Sequence, residues 1–113
     1  MNCEIIATHR FEKEVKRLAK KYVSLREDLC LLYAELKSNP RTGTSLGRNF
    51  YKIRVLITSK GKGKRGGGRV ITYLVEESVE ELNVFLLSIY DKSELDTLTD
   101  TDIVALIDQI KNL

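Results

Sequence analysis

The sequence predicts an α+β domain with element order β-α-α-β-β-β-α, a mostly antiparallel four-stranded sheet carrying an αα-hairpin and a C-terminal helix. Three observations lead there. Apolar residues recur every three to four positions from Phe11 to Leu36, then switch to strict alternation from Tyr51, then return to helical spacing at the end. The chain has 113 residues, of which 42% are hydrophobic and 31% charged, which suits one domain spanning residues 1–113 with a small core. A five-glycine stretch, KGKGKRGGGR, separates two of the alternating runs, as a hairpin connection does.

Residues 3–7 read as a short strand. Thr8 is a fitting N-cap for a helix whose apolar face is Phe11, Val15, Leu18, Ala19 and Tyr22, with cations on the outer side. Ser24 followed by Glu27 has the pattern of a capping box, after which Leu25, Leu29, Leu32, Tyr33 and Leu36 keep helical spacing until Asn39 and Pro40 end the helix. The next strand places Tyr51, Ile53, Val55 and Ile57 on one face and presents Lys52 and Arg54 together on the other. The glycine-lysine stretch is too polar and flexible to pack and reads as a long loop. Residues 70–76 and 82–90 are β-branched and aromatic-rich strands separated by an acidic turn. Thr99 starts a last helix running to residue 113, with Ile103, Leu106, Ile107 and Ile110 as its stripe.

Charge is segregated. Residues 41–75 contain no Asp or Glu but nine cations, Arg41, Arg48, Lys52, Arg54, Lys60, Lys62, Lys64, Arg65 and Arg69, while the whole chain is only +3 and its remainder is therefore −6. A field built from one stretch of chain attracts polyanions, and nucleic acid is the obvious one. The loop cations Lys60, Lys62, Lys64 and Arg65 are accordingly candidate RNA-binding residues. His9 is the only histidine, and Cys3 and Cys30 stand alone without metal or redox spacing, so they read as reduced core residues. Imidazole-based metal sites and Ser-His-Asp or Cys-His catalysis have little to work with; no metal and no cofactor is expected. The start, MNCEIIATHR, lacks a signal peptide and no apolar run is long enough for a membrane span, so a cytoplasmic location is expected.

The element order, the YKIR strand at residues 51–54, the GGRVITYLV strand at 67–75 and the LLSIYDKSE segment at 87–94 together resemble the RelE/ParE toxin superfamily, nearest its RelE and HigB-like mRNA-cleaving members. The resemblance covers nearly the whole chain. It implies a bacterial type II toxin that cuts mRNA in the ribosomal A site without a metal and is held inactive by a cognate antitoxin. Lys52 and Arg54 match the family's basic pair, Arg69 the arginine opening the third strand, and Lys92 a basic position after the fourth. On that match Arg69 clamps phosphate, Arg54 stabilises the transition state, and Lys52 or Lys92 moves protons. The catalytic C-terminal tyrosine of RelE falls on Leu98 here, and Tyr90 is the nearest phenol, although its spacing also fits a core aromatic with its hydroxyl at the rim. Two alternatives stand beside this: a ParE-type poison that binds a protein such as DNA gyrase, and a non-toxic RNA- or ribosome-binding module.

Overall fold

The computed structural model describes residues 2–61, 63–94 and 100–111. Strand β1 (Asn2–Ala7) leads into the hairpin of α1 (His9–Lys21) and α2 (Leu25–Ser38), followed by β2 (Thr44–Gly47), β3 (Phe50–Val55), a 3-10 turn (Thr58–Lys60), the one-turn α3 (Gly63–Gly66), β4 (Gly68–Glu76), β5 (Glu81–Asp91) and α4 (Asp100–Lys111). The sheet has the order β1-β5-β4-β3-β2; β1 runs parallel to β5, and the other pairings are antiparallel. The α+β class and the order of the main elements are as expected. A fifth strand, β2, was not legible: its four residues are all exposed and include glycine, so they carry no alternating signal. It forms because the turn at Arg48 and Asn49, both with positive φ, folds it back onto β3.

The helices cover one face of the sheet. Phe11, Val15 and Leu18 of α1 and Leu25, Leu29, Leu32 and Leu36 of α2 interlock with Ile53, Val55, Val70, Leu74, Val84, Leu86 and Ile89, and each fully buried side chain of this size contributes about 1.5–3 kcal/mol. Thr8 caps α1 as expected, its hydroxyl accepting from the Phe11 N–H at 3.2 Å while donating to the Leu86 carbonyl at 2.9 Å. Ser24 does not complete a capping box. Its hydroxyl instead donates to the Asp28 carboxylate at 2.8 Å and accepts from the Ser59 N–H at 2.8 Å. Cys3 is partly buried and packs against the inner core, whereas Cys30 is exposed on the solvent side of α2, which corrects the reading of Cys30 as a core residue.

The opposite face of the sheet carries a second, smaller cluster, Phe50, Ile71, Leu87 and Tyr90 with Leu106 of α4, and Tyr73 and Phe85 pack at its margin. The Phe50 and Tyr73 rings lie 4.7 Å apart. Thr99, expected to open α4, is outside the described residues, as are the side chains of Ile103, Ile107 and Ile110.

The described part of the glycine-rich connection contains short helical turns that a plain hairpin loop would not have. Its backbone turns through Thr58–Lys60 and α3 before Gly67 returns against β3. A Cβ on Gly67 would stand 2.2 Å from the Val55 carbonyl oxygen, a backbone atom that cannot swing aside. Gly67→Ala is therefore expected to cost about 1–3 kcal/mol, read as a lowered urea midpoint, whereas Gly61→Ala meets no neighbouring atom and is strained only through its left-handed φ of 74°.

Candidate nucleic-acid site on the outer sheet face

The β3–β4 and β4–β5 registers place Arg54 opposite Arg69, and Arg69 opposite Tyr90. Three strands thus contribute one cross-strand row, with neighbouring Cβ atoms about 4.5–5.5 Å apart. Lys52 follows two residues from Arg54 on the same face, about 7 Å along the strand. Arg54 is exposed, Lys52 half-buried, and Arg69 and Tyr90 are each only 5% exposed, so the row grades from solvent into the sheet.

Tyr90 joins this row through a β-bulge. Leu82, Val84 and Leu86 point toward the helices, and strict alternation would send residue 90 there as well. The β4–β5 register instead slips between Ile71 and Thr72, so that Ile71 pairs with Ser88 while Thr72 pairs with Leu86. Leu87 keeps the outer face that alternation assigns it, and the extra residue then turns Ile89 inward and Tyr90 onto the outer face. Groups freed from the ladder are satisfied by α1: Glu14 accepts from the Ser88 hydroxyl at 2.9 Å and the Ile89 N–H at 3.3 Å, and Thr8 donates to the Leu86 and Leu87 carbonyls. Burial raises the Glu14 carboxyl above its ordinary value despite these donors.

The electrostatics of the row are costly. Burial lowers the Arg69 guanidinium's pKa, and Arg54 across the strand pair lowers it further. Arg69 donates to the Gly68 carbonyl at 2.9 Å. Burial pushes the Tyr90 phenol above its ordinary value, partly offset by Arg69, and its hydroxyl oxygen is buried with no hydrogen-bond partner among the described residues. Two like charges side by side and a buried phenol without a partner do not favour folding; an anion arriving at the row would relieve both.

The same bulge sets Asp91 on the inner side, where its fully buried carboxylate gathers donors that sequence reasoning missed. Tyr22, which follows α1, donates at 2.5 Å, Lys60 forms a buried ion pair, the Ser93 N–H and hydroxyl donate at 3.0 and 2.8 Å, and Lys21 stands at 3.8 Å. Burial opposes the charge, yet these donors hold the carboxyl far below the usual carboxylate range. Asp28 plays a parallel part on α2, accepting from the Thr58 N–H at 2.9 Å and hydroxyl at 2.6 Å. Between them the two aspartates fasten the 58–60 turn to α2 and to the end of β5. This corrects Lys60 as a free loop cation: its side chain is 9% exposed and its charge is spent on Asp91. Ser93 is a local partner of Asp91, but its other close donors, Tyr22 and Lys60, lie 69 and 31 residues away in the chain, so local pattern does not mark the network.

Of the other candidates, Lys92 occupies the turn just after β5, its N–H bonded to the Gly67 carbonyl at 3.0 Å, so it is held beside the start of β4. Lys62 and the side chains of Lys64 and Arg65 lie outside the described residues. Among the described residues no three His, Cys, Asp or Glu side chains group as metal ligands, and no described helix is long and apolar enough to cross a membrane.

This arrangement of sheet, hairpin and C-terminal helix is a RelE-like fold. The chain is similar in structure to the E. coli toxin RelE, in a free-state form carrying two arginine-to-alanine substitutions, with a TM-score of 0.62 and 20% sequence identity over 97% of this chain and 99% of that one. No protein-family model matches the chain.

Proposed function

We propose that this protein is the toxin of a toxin–antitoxin pair and cleaves mRNA on the ribosome as a metal-independent endoribonuclease. The observation that carries this reading is the row of Arg54, Arg69 and Tyr90 across three strands, beside Lys52, with Lys92 in the turn just after β5; the likeness to RelE supports the class. Metal-free cleavage uses the substrate's own 2′-hydroxyl. Its oxygen bonds to phosphorus as the P–O5′ bond breaks, leaving a 2′,3′-cyclic phosphate and a 5′-hydroxyl, with one proton removed from O2′ and one delivered to O5′. Two arginines side by side match the extra negative charge of the pentavalent phosphate. Tyr90, kept protonated by burial, is suited to donate a proton, and Lys52 or Lys92 assists the transfer. Tyr90 is nearly buried and shares an apolar cluster with Leu106, whereas Arg54 is exposed and is met first.

Expression in a bacterial host followed by mapping of mRNA 5′ ends tests this. Growth arrest with new 5′-hydroxyl ends in translated messages is the expected result. Arrest with intact mRNA would point to a protein target, as for ParE-type toxins, and RNA binding without arrest would leave a non-toxic module.

A further inference from the structure

The apolar stripe of α1 is interrupted by a charge. Phe11, Val15 and Leu18 are buried, and Glu14, three residues after Phe11 and four before Leu18, shares their side of the helix. Its side chain is only 23% exposed. A carboxylate in that place carries a desolvation cost that a leucine would not. What offsets the cost lies on β5. Glu14 Oε1 accepts from the Ser88 hydroxyl at 2.9 Å and from the Ile89 N–H at 3.3 Å, with Arg10 Nε at 3.6 Å from the same oxygen. Both donors stand on the C-terminal side of the bulge. Thr8, which also caps α1, serves the Leu86 and Leu87 carbonyls on its N-terminal side. The backbone group that Glu14 holds is therefore the one just ahead of Tyr90.

We infer that Glu14 is a positioning residue for the arginine row: by holding the Ser88–Ile89 peptide group it fixes the turn of β5 that sets the Tyr90 phenol beside Arg69. Two physical facts support this. A buried N–H must find an acceptor, and the bulged ladder offers Ile89 one on α1 and not on β4. The Tyr90 hydroxyl has no hydrogen-bond partner of its own among the described residues, so the ring takes its place from the strand that carries it and from packing, with no polar contact to pin it. A slip in that strand exchanges faces, and smaller shifts already spoil a site that needs its groups held to within about 0.5 Å. The effect on cleavage rests on the function proposed above; the placement of the ring does not.

The test compares Glu14→Leu with Glu14→Gln in the full chain. Leucine fills the stripe and removes the acceptor, whereas glutamine keeps an oxygen for Ser88 and Ile89. The Tyr90 ring, identified among the five tyrosines by its loss in Tyr90→Phe, is followed by NMR of ring-labelled protein. Its resonances are expected to shift in Glu14→Leu and to stay at the parent positions in Glu14→Gln. On programmed ribosomes with saturating protein, single-turnover mRNA cleavage should slow about 10–100-fold in Glu14→Leu, with the half-saturating concentration unchanged, and return to the parent rate in Glu14→Gln. In the Tyr90→Phe background Glu14→Leu should bring no further loss, a coupling that general destabilisation does not produce. Ser88→Ala loosens the same contact from the strand side; a smaller shift and a smaller loss are expected, and this variant carries the test if Glu14→Leu does not fold. A Tyr90 ring unmoved in Glu14→Leu and Ser88→Ala, or equal losses with and without Tyr90→Phe, overturns the proposal. If the parent chain cleaves nothing while the ring moves as stated, only the cleavage reading falls.

Discussion

Asp91→Ala is expected to cost the domain about 3–5 kcal/mol, the range for removing one partner of a buried ion pair. The carboxylate is fully buried, and its loss leaves Lys60, Tyr22 and Ser93 facing an empty acceptor position. Total stabilities of about 5–15 kcal/mol are usual, so urea denaturation should show a large fall or outright unfolding at room temperature. Lys60→Met should cost less, because Tyr22 and Ser93 still serve the carboxylate. The pH dependence follows from the depressed folded-state pKa of Asp91. The unfolded chain binds the proton first, so this contribution is fully present above about pH 4. It drains away as pH falls below that toward the folded-state value. Asp91→Asn should therefore flatten the acid limb of the stability curve, and an unchanged limb would show that the network stabilises nothing.

Arg69→Ala and Arg54→Ala should each abolish growth arrest, with cleavage reduced about 10²–10³-fold, the scale for losing one donor to a transition-state oxyanion. Stability separates this from a folding defect. Arg54 is exposed and stands opposite Arg69, so its removal relieves a like-charge pair and should leave stability unchanged or raise it by about 0.2–1 kcal/mol. A variant that is more stable and inactive places Arg54 in the site; one that is fully toxic removes it.

Much of the scaffold was readable from local pattern. The apolar stripes of α1 and α2 and the Thr8 cap depend on residues within a few turns of each other, and the alternation in β3 assigns Lys52 and Arg54 to one face without reference to any other strand. Strand β2 was not readable, because an exposed edge segment has no inner face to mark it. The loop was read too loosely, since the two aspartates that fasten it lie 30 residues before it and 31 after. Leu106 was assigned to an apolar stripe, but what that stripe covers depends on the outer-face cluster.

By itself, then, the sequence determined the α+β class, the segregation of positive charge into the middle of the chain and the pairing of Lys52 with Arg54, all consequences of composition and of periods of 2 and 3.6 residues. Only the tertiary structure decided that Tyr90 stands beside Arg69 and that Lys60 is spent on Asp91. The physical reason is the bulge opposite Ile71 and Thr72. One extra residue in β5, its freed groups satisfied by Thr8 and Glu14 of a helix more than 70 residues earlier in the chain, exchanges the faces of everything after it, and that exchange depends on long-range hydrogen bonds that no local pattern encodes.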